Sequence, residues 1–111
     1  MKHVLRFYPG GVIVSAHAME SFREATHLNW TSDAVKEAVE QSKHVSIDDV
    51  RLNGYSPFFE RRLEKGIHTW YAIHKEFGWD AVFVLAEGKK INSDELVLTT
   101  VLFNKAAQYR R

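Results

Sequence analysis

The chain has 111 residues, 45% of them hydrophobic, a net charge of +1 and no cysteine. A chain of this length can form one hydrophobic core unaided, and the lack of cysteine excludes disulfide scaffolds, thiolate zinc sites and cysteine nucleophiles. No apolar run approaches the roughly 20 residues that a membrane span needs, and the charges within the first six residues do not fit a signal peptide. We therefore expect a single cytoplasmic domain over residues 1–111 that does not contact a membrane.

The predicted elements begin with the turn Pro9-Gly10-Gly11, between two short apolar stretches at residues 4–8 and 12–15. Because glycine accepts positive φ, this pattern predicts a short hairpin or one bent strand. Apolar residues at helical spacing then predict a helix over 16–27 with Ser15 as its N-cap. A second helix is predicted to begin after Thr31 and to end near Lys43 or His44. Its inward face consists of Ala34, Val35, Ala38, Val39 and Ser42.

The second half of the chain is predicted to be mainly β-structure. Residues 45–66 carry turn residues and join the helices to the second half of the chain. Residues 67–77 fit either a helix or a strand, and their β-branched and aromatic content favours the strand. A turn at 78–80, strands at 81–86 and 95–103, and a basic tail at 104–111 follow. Short connections make such strands antiparallel. The predicted fold class is α+β, with two N-terminal helices packed on an antiparallel three- to four-stranded meander sheet.

The charges are distributed unevenly along the chain. Residues 20–50 have a net charge of −4, residues 51–75 have a net charge of +3, and the tail adds three unopposed cations. This asymmetry is compatible with a basic binding side, and equally with ordinary solvated charges.

Local motifs for cofactors are absent from the sequence. It contains no phosphate loop, dinucleotide fingerprint, nucleophile elbow or His-Glu-x-x-His helix, so no cofactor is implied. His68 and His74 would share one face of a strand, but their separation of roughly 20 Å is beyond the reach of one metal ion. No metal site is predicted.

His17 is the most informative polar residue. It lies at the predicted strand-to-helix junction, with Glu20 or Ser21 one turn further on and Arg23 further round the same helix. A histidine there could act as a base or a hydrogen-bond acceptor. The alternative is structural, with the imidazole bonding a neighbouring backbone carbonyl and so fixing the junction.

The segment Ser15-Ala16-His17-Ala18-Met19-Glu20-Ser21-Phe22-Arg23 and the closing strand Leu98-Thr99-Thr100-Val101-Leu102-Phe103 carry a family resemblance. They resemble small bacterial and phage domains of largely unknown function, which begin with a strand, His-Ala and an arginine-rich helix. Those domains are similar in fold to the barnase, EndoU, colicin and RelE-like endoribonuclease toxins. The likeness spans most of residues 12–104, with two departures. This chain lacks the family's further arginine near residues 25–28, and its residues 45–66 look like an insertion of turn and basic material.

The resemblance implies metal-independent RNA cleavage, which requires a base, cations for phosphate and a proton donor. His17 would act as base or acid, Arg23 would hold phosphate, His68 would be a second histidine (His74 is the other candidate) and Thr100 would orient the phosphate. The residues expected to bind RNA are Arg61, Arg62, Lys65, Lys75, Lys105, Tyr109 and Arg110. For each arginine the rival explanation is an exposed ion pair with Glu24, Glu60 or Glu64.

Two other functions remain open. The protein could be a non-catalytic phage or accessory protein that binds a host protein through its acidic helices and an aromatic hairpin. It could also be a simple nucleic-acid-binding module that uses residues 51–75 and the tail. Expected partners are therefore RNA or a protein such as an antitoxin or host protein.

The aromatic hairpin could instead supply the core, an oligomer interface or a stacking platform for bases. Its rings are Trp70, Tyr71, Phe77, Trp79 and Phe83.

Overall fold

A computed structural model of the protein describes residues 10–55, 69–87 and 95–103. In these ranges five strands form one sheet: β1 (Gly11–Val14), β2 (Lys43–Val45), β3 (Thr69–Ile73), β4 (Ala81–Glu87) and β5 (Glu95–Phe103). The helices are α1 (Ala16–Thr26), α2 (Ser32–Glu40) and α3 (Ile47–Leu52), and a 3-10 turn at Gly78–Asp80 leads into β4. The predicted α+β class is confirmed.

Both predicted N-terminal helices are present, and local capping explains where they begin. The side chain of Ser15 accepts a hydrogen bond from the N–H of Ala18, and that of Thr31 accepts one from Ala34. The first helix ends one residue before the predicted limit, because His27 takes a left-handed conformation with φ of 58°. The second ends at Glu40 rather than near residue 43 or 44.

The early end of α2 is explained by a strand that the sequence analysis missed. Lys43 and His44 belong to β2, where they pair with Ile73 and Ala72 of β3. A strand of three residues is too short to show the alternation on which sequence-based prediction depends. The expectation of a helix reaching residue 43 or 44 is therefore wrong.

The segment predicted as an insertion of turns also contains helix α3. Ser46 caps this helix by accepting a hydrogen bond of 3.1 Å from the N–H of Asp49. The side-chain amide of Asn53 donates to the carbonyl of Asp49 at the other end. The residues that favoured a turn thus begin and end one short helix, because serine, aspartate and asparagine are favoured both in turns and at the ends of helices. Residues 56–68 lie outside the described ranges.

The sheet is mixed and larger than predicted, with the strand order β1-β5-β4-β3-β2. The antiparallel pairing of β3, β4 and β5 is confirmed, and so is the strand alternative for residues 69–73. The three- to four-stranded meander is wrong, because β2 adds to one edge and β1 pairs in parallel with β5 at the other. No short connection joins β1 to β5, so their order in the chain does not dictate their relative direction.

Buried side chains lie on both faces of the sheet. On one face α1 and α2 cover a cluster that includes Phe22, Val35 and Phe83, all fully buried. On the other face α3 contributes Val50 to a cluster with Val45, Tyr71, Val82 and Val84. The aromatic residues of the predicted hairpin are divided between these faces: Trp70, Phe77 and Phe83 pack beneath α1 and α2, whereas Tyr71 and Trp79 pack with α3.

Among the described helices, none has the length and apolar character needed to cross a membrane. The predicted strand at residues 4–8, the connection at 88–94 and the basic tail at 104–111 fall on residues outside the described ranges.

Candidate functional site

The candidate site lies where β1 ends and α1 begins, and Ser15 fixes this junction. Its backbone N–H donates to the carbonyl of Leu98 on β5 at 3.2 Å. Its hydroxyl donates to the same carbonyl at 2.9 Å while accepting from the N–H of Ala18 at 3.1 Å. One serine therefore caps α1 and ties the helix start to β5.

A β-bulge in β5 supplies the second half of the site. Val84 of β4 pairs with Thr100, but the next residue, Leu85, pairs with Leu98, which leaves Thr99 as an extra residue in β5. Bulges of this kind bend a strand and redirect its side chains. Thr99 donates its hydroxyl to the carbonyl of Val84 at 3.1 Å, whereas the hydroxyl of Thr100 reaches α1.

Three side chains meet at this point, and we call them the His17 cluster: His17, Ser21 and Thr100. The hydroxyl oxygens of Ser21 and Thr100 are 3.1 Å apart. The imidazole Nε2 of His17 lies 3.5 Å from the Ser21 oxygen and 3.4 Å from the Thr100 oxygen. Ser21 is 8% exposed, Thr100 is half-buried and His17 is exposed, so the cluster extends from the helix–sheet interface to the surface.

The chemistry of the cluster suits a histidine that changes its protonation state. A hydroxyl can donate a hydrogen bond to a bare Nε2, or accept one from a protonated Nε2. The cluster can therefore hold the ring in one orientation in both states. Among the described residues Nδ1 has no hydrogen-bond partner, so this second nitrogen is available to an external molecule.

The structure brings together two of the four predicted catalytic residues, His17 and Thr100. Arg23 is exposed on the same helix, but helix geometry places it about 9 Å along the axis and about 120° around it from His17. Lys75 is exposed in the turn after β3, two strands away from β5. The remaining predicted site residues lie outside the described ranges: His68, Arg61, Arg62, Lys65, Lys105, Tyr109 and Arg110.

Ser21 is the member of the cluster that the sequence analysis placed one turn from His17 but did not select as a site residue. Its spacing of four residues from His17 was the available signal, because side chains at i and i+4 on a helix are neighbours. Its burial against β5 could not be read from this spacing. The hydroxyl of Thr100, from 79 residues further along the chain, gives Ser21 its second partner.

The other described histidines have local structural partners. His27 ends α1. The half-buried ring of His44 packs edge-on against Trp70, with centroids 5.4 Å apart, and burial lowers the pKa of His44. His74 is 5% exposed and accepts a hydrogen bond from the N–H of Glu76 at Nδ1. None of the three belongs to the His17 cluster.

Within the described ranges, no group of three or more histidine, aspartate or glutamate side chains is arranged to hold a metal ion. Comparison of the chain with protein-family models, with curated proteins and with solved structures finds no match.

Proposed function

We propose that the protein acts on RNA as an endoribonuclease that needs no metal ion, with His17 as the general acid–base residue. The observation that carries this proposal is the His17 cluster: an exposed imidazole whose Nε2 contacts two hydroxyls and whose Nδ1 has no partner among the described residues. The resemblance of the segment around His17 and of the closing strand to the toxin endoribonuclease group supports the same reaction.

The first step takes place at Nδ1 of His17. This nitrogen removes the proton from a ribose 2′-hydroxyl, and the resulting oxygen attacks the adjacent phosphorus. Nε2 keeps its proton and donates a hydrogen bond to a hydroxyl of the His17 cluster, which stabilises the imidazolium that forms. The bond to the 5′-oxygen breaks, and this oxygen takes a proton from water. The hydroxide left behind takes the proton that Nδ1 gained, which regenerates His17 as the base. The products are a 2′,3′-cyclic phosphate and a free 5′-hydroxyl.

The start of α1 is suited to the phosphate of this substrate. Ser15 satisfies the N–H groups of Ala18 and Met19, which leaves those of Ala16 and His17 without partners among the described residues. The first turn of α1 contains no acidic residue. Free N–H groups and the positive end of the helix dipole favour an anion at this position, next to the imidazole.

The test uses the purified full chain, a synthetic RNA containing all four nucleotides, and EDTA in the buffer. We expect cleavage to a 2′,3′-cyclic phosphate, and no cleavage of the 2′-O-methyl version of the same RNA. Loss of a general acid–base residue lowers the rate by about 10²–10⁴-fold, so His17→Ala is expected to fall in that range.

The matched control is His27→Asn, which removes an imidazole from the opposite end of α1. Asparagine accepts the left-handed conformation that His27 adopts, so this variant is expected to fold and to cleave RNA at the wild-type rate. Cleavage by His17→Ala at the wild-type rate would contradict the proposal. Salt-sensitive RNA binding without cleavage would instead indicate a simple nucleic-acid-binding module.

A further inference from the structure

A concave site that shares no residue with the His17 cluster lies beside α2. It is a groove of about 410 Å³ between α2 and the turn that follows β3, and we call it the α2 groove. Its charged and hydrogen-bonding lining includes Glu37, Gln41, His74 and Glu76, and Trp30 contributes an aromatic surface. Among the described residues that line this groove there is no lysine or arginine, and Glu37 and Glu76 give this described lining a negative charge.

His74 gives the α2 groove a fixed hydrogen-bond donor. The ring is 5% exposed, and its Nδ1 accepts a hydrogen bond of 3.2 Å from the backbone N–H of Glu76. A nitrogen that accepts from an amide cannot carry a proton itself, so the neutral ring carries its proton on Nε2. Nε2 has no partner among the described residues, which leaves its N–H for a carbonyl oxygen of a bound molecule.

Beside this donor, two carboxylates and an aromatic ring supply the groups that attract a cation. The side-chain amide of Gln41, four residues after Glu37, donates to the Glu37 carboxylate at 3.3 Å and so orients it. Trp30 is held by Phe22 and Phe77, with ring centroids 5.4 and 5.6 Å away. A planar cation stacks favourably on such an indole while pairing with a carboxylate.

We propose that the α2 groove binds an arginine-bearing segment of a partner protein. The guanidinium lies against Trp30 and pairs with Glu37 or Glu76, and a backbone carbonyl of the segment accepts from His74. Arginine fits better than lysine because its planar group can stack and form two parallel hydrogen bonds. A nucleic acid is disfavoured because its phosphates would face two carboxylates. This inference does not depend on the proposed RNA cleavage.

The experiment titrates the full chain with the peptide acetyl-Gly-Ser-Arg-Ser-Gly-amide and follows the indole and imidazole signals by NMR. We expect saturable shifts at Trp30 and His74. The same peptide with citrulline in place of arginine keeps the shape but loses the charge. Because Glu37 and Glu76 are exposed, and exposed ion pairs contribute little, we expect the citrulline peptide to bind about three- to tenfold more weakly.

The double variant Glu37→Gln and Glu76→Gln tests the groove itself and is expected to weaken the arginine peptide by a similar factor. The matched control is Glu20→Gln with Glu40→Gln, which removes two exposed carboxylates that do not line the groove. Equal binding of both peptides, or equal weakening by both double variants, would overturn the proposal. Self-association that blocks the peptide would also overturn it, because a second copy of the chain would then be the occupant.

Discussion

At the scale of single residues, the hydrogen bond between Ser21 and Thr100 links α1 to the bulge in β5. The variants Ser21→Ala and Thr100→Val each remove one of its two hydroxyls with little change in volume. We expect each to lower the free energy of unfolding by about 1 kcal/mol. The double variant is expected to cost about 1–1.5 kcal/mol rather than about 2, because both changes remove the same bond. Urea denaturation measures all three values.

The control for this cycle is Ser42→Ala, which removes a hydroxyl that donates to the carbonyl of Ala38 at 2.7 Å on α2. Combined with Ser21→Ala it is expected to be additive to within about 0.5 kcal/mol, since the two residues share no partner. Full additivity of Ser21→Ala with Thr100→Val would show that the two hydroxyls do not stabilise one another.

Tyr55 makes stability depend on pH in the alkaline range. Its hydroxyl donates to the carbonyl of Trp79, and burial, with a smaller contribution from the charge of Asp80, raises the pKa of Tyr55 to about 12. In the unfolded chain a tyrosine loses its proton near pH 10. The folded protein therefore holds more protons between about pH 10 and 12, so its stability falls as the pH rises through this window.

The variant Tyr55→Phe checks this expectation. It is expected to be less stable than wild type at pH 8, because the Trp79 carbonyl loses its donor, and to lose less stability between pH 10 and 12. Subtracting its absorbance titration at 295 nm from that of wild type isolates the ionisation of Tyr55. Asp80→Asn should shift this ionisation to lower pH. A difference titration centred near pH 10 would contradict the assignment.

At the scale of elements, Ser15 and Thr31 form a natural pair of N-caps. Both take extended backbone conformations, with φ of −74° and −72°, and both accept from the third residue beyond them. The hydroxyl of Ser15 also donates to Leu98 on β5. We expect Thr31→Ala to cost about 0.5–1 kcal/mol and Ser15→Ala about 2 kcal/mol, because the second change removes a cap and an inter-element bond.

Thermal or urea unfolding of the two cap variants measures this difference directly. Equal costs would mean that the bond from Ser15 to Leu98 adds nothing beyond the cap. In that case the start of α1 would be positioned mainly by the packing of Phe22 against the sheet rather than by its capping residue.

At the scale of the whole molecule, positive and negative charges are separated along the chain. The described ranges contain eleven acidic and five cationic side chains, and the other ten of the fifteen cations belong to the remaining segments. Any broad phosphate-binding surface must therefore draw mainly on those ten. The α2 groove, in contrast, has the negative charge that a basic protein segment requires.

The sequence predicts the parts of the fold that depend on residues close together in the chain, and it does not predict those that depend on residues far apart. Helices α1 and α2 could be predicted because a cap and a periodic stripe are local signals, and strands β3 to β5 because of their composition and short connections. The parallel pairing of β1 with β5 has no local signal. The site shows the same division: His17 and Thr100 could each be selected from the sequence, but their contact depends on the bulge at Thr99.

The parallel pairing of β1 with β5 also bears on the order of events during synthesis. β1 leaves the ribosome well before β5, its neighbour among the described strands, because α1, α2, α3 and three strands lie between them in the chain. The hydrogen bond from the Ser15 hydroxyl to the Leu98 carbonyl cannot form until Leu98, 83 positions later, has been synthesised. Contacts of such long range slow folding. A nascent chain in which β5 has not yet been synthesised, or a variant truncated before β5, therefore has no assembled His17 cluster, because that cluster requires Thr100.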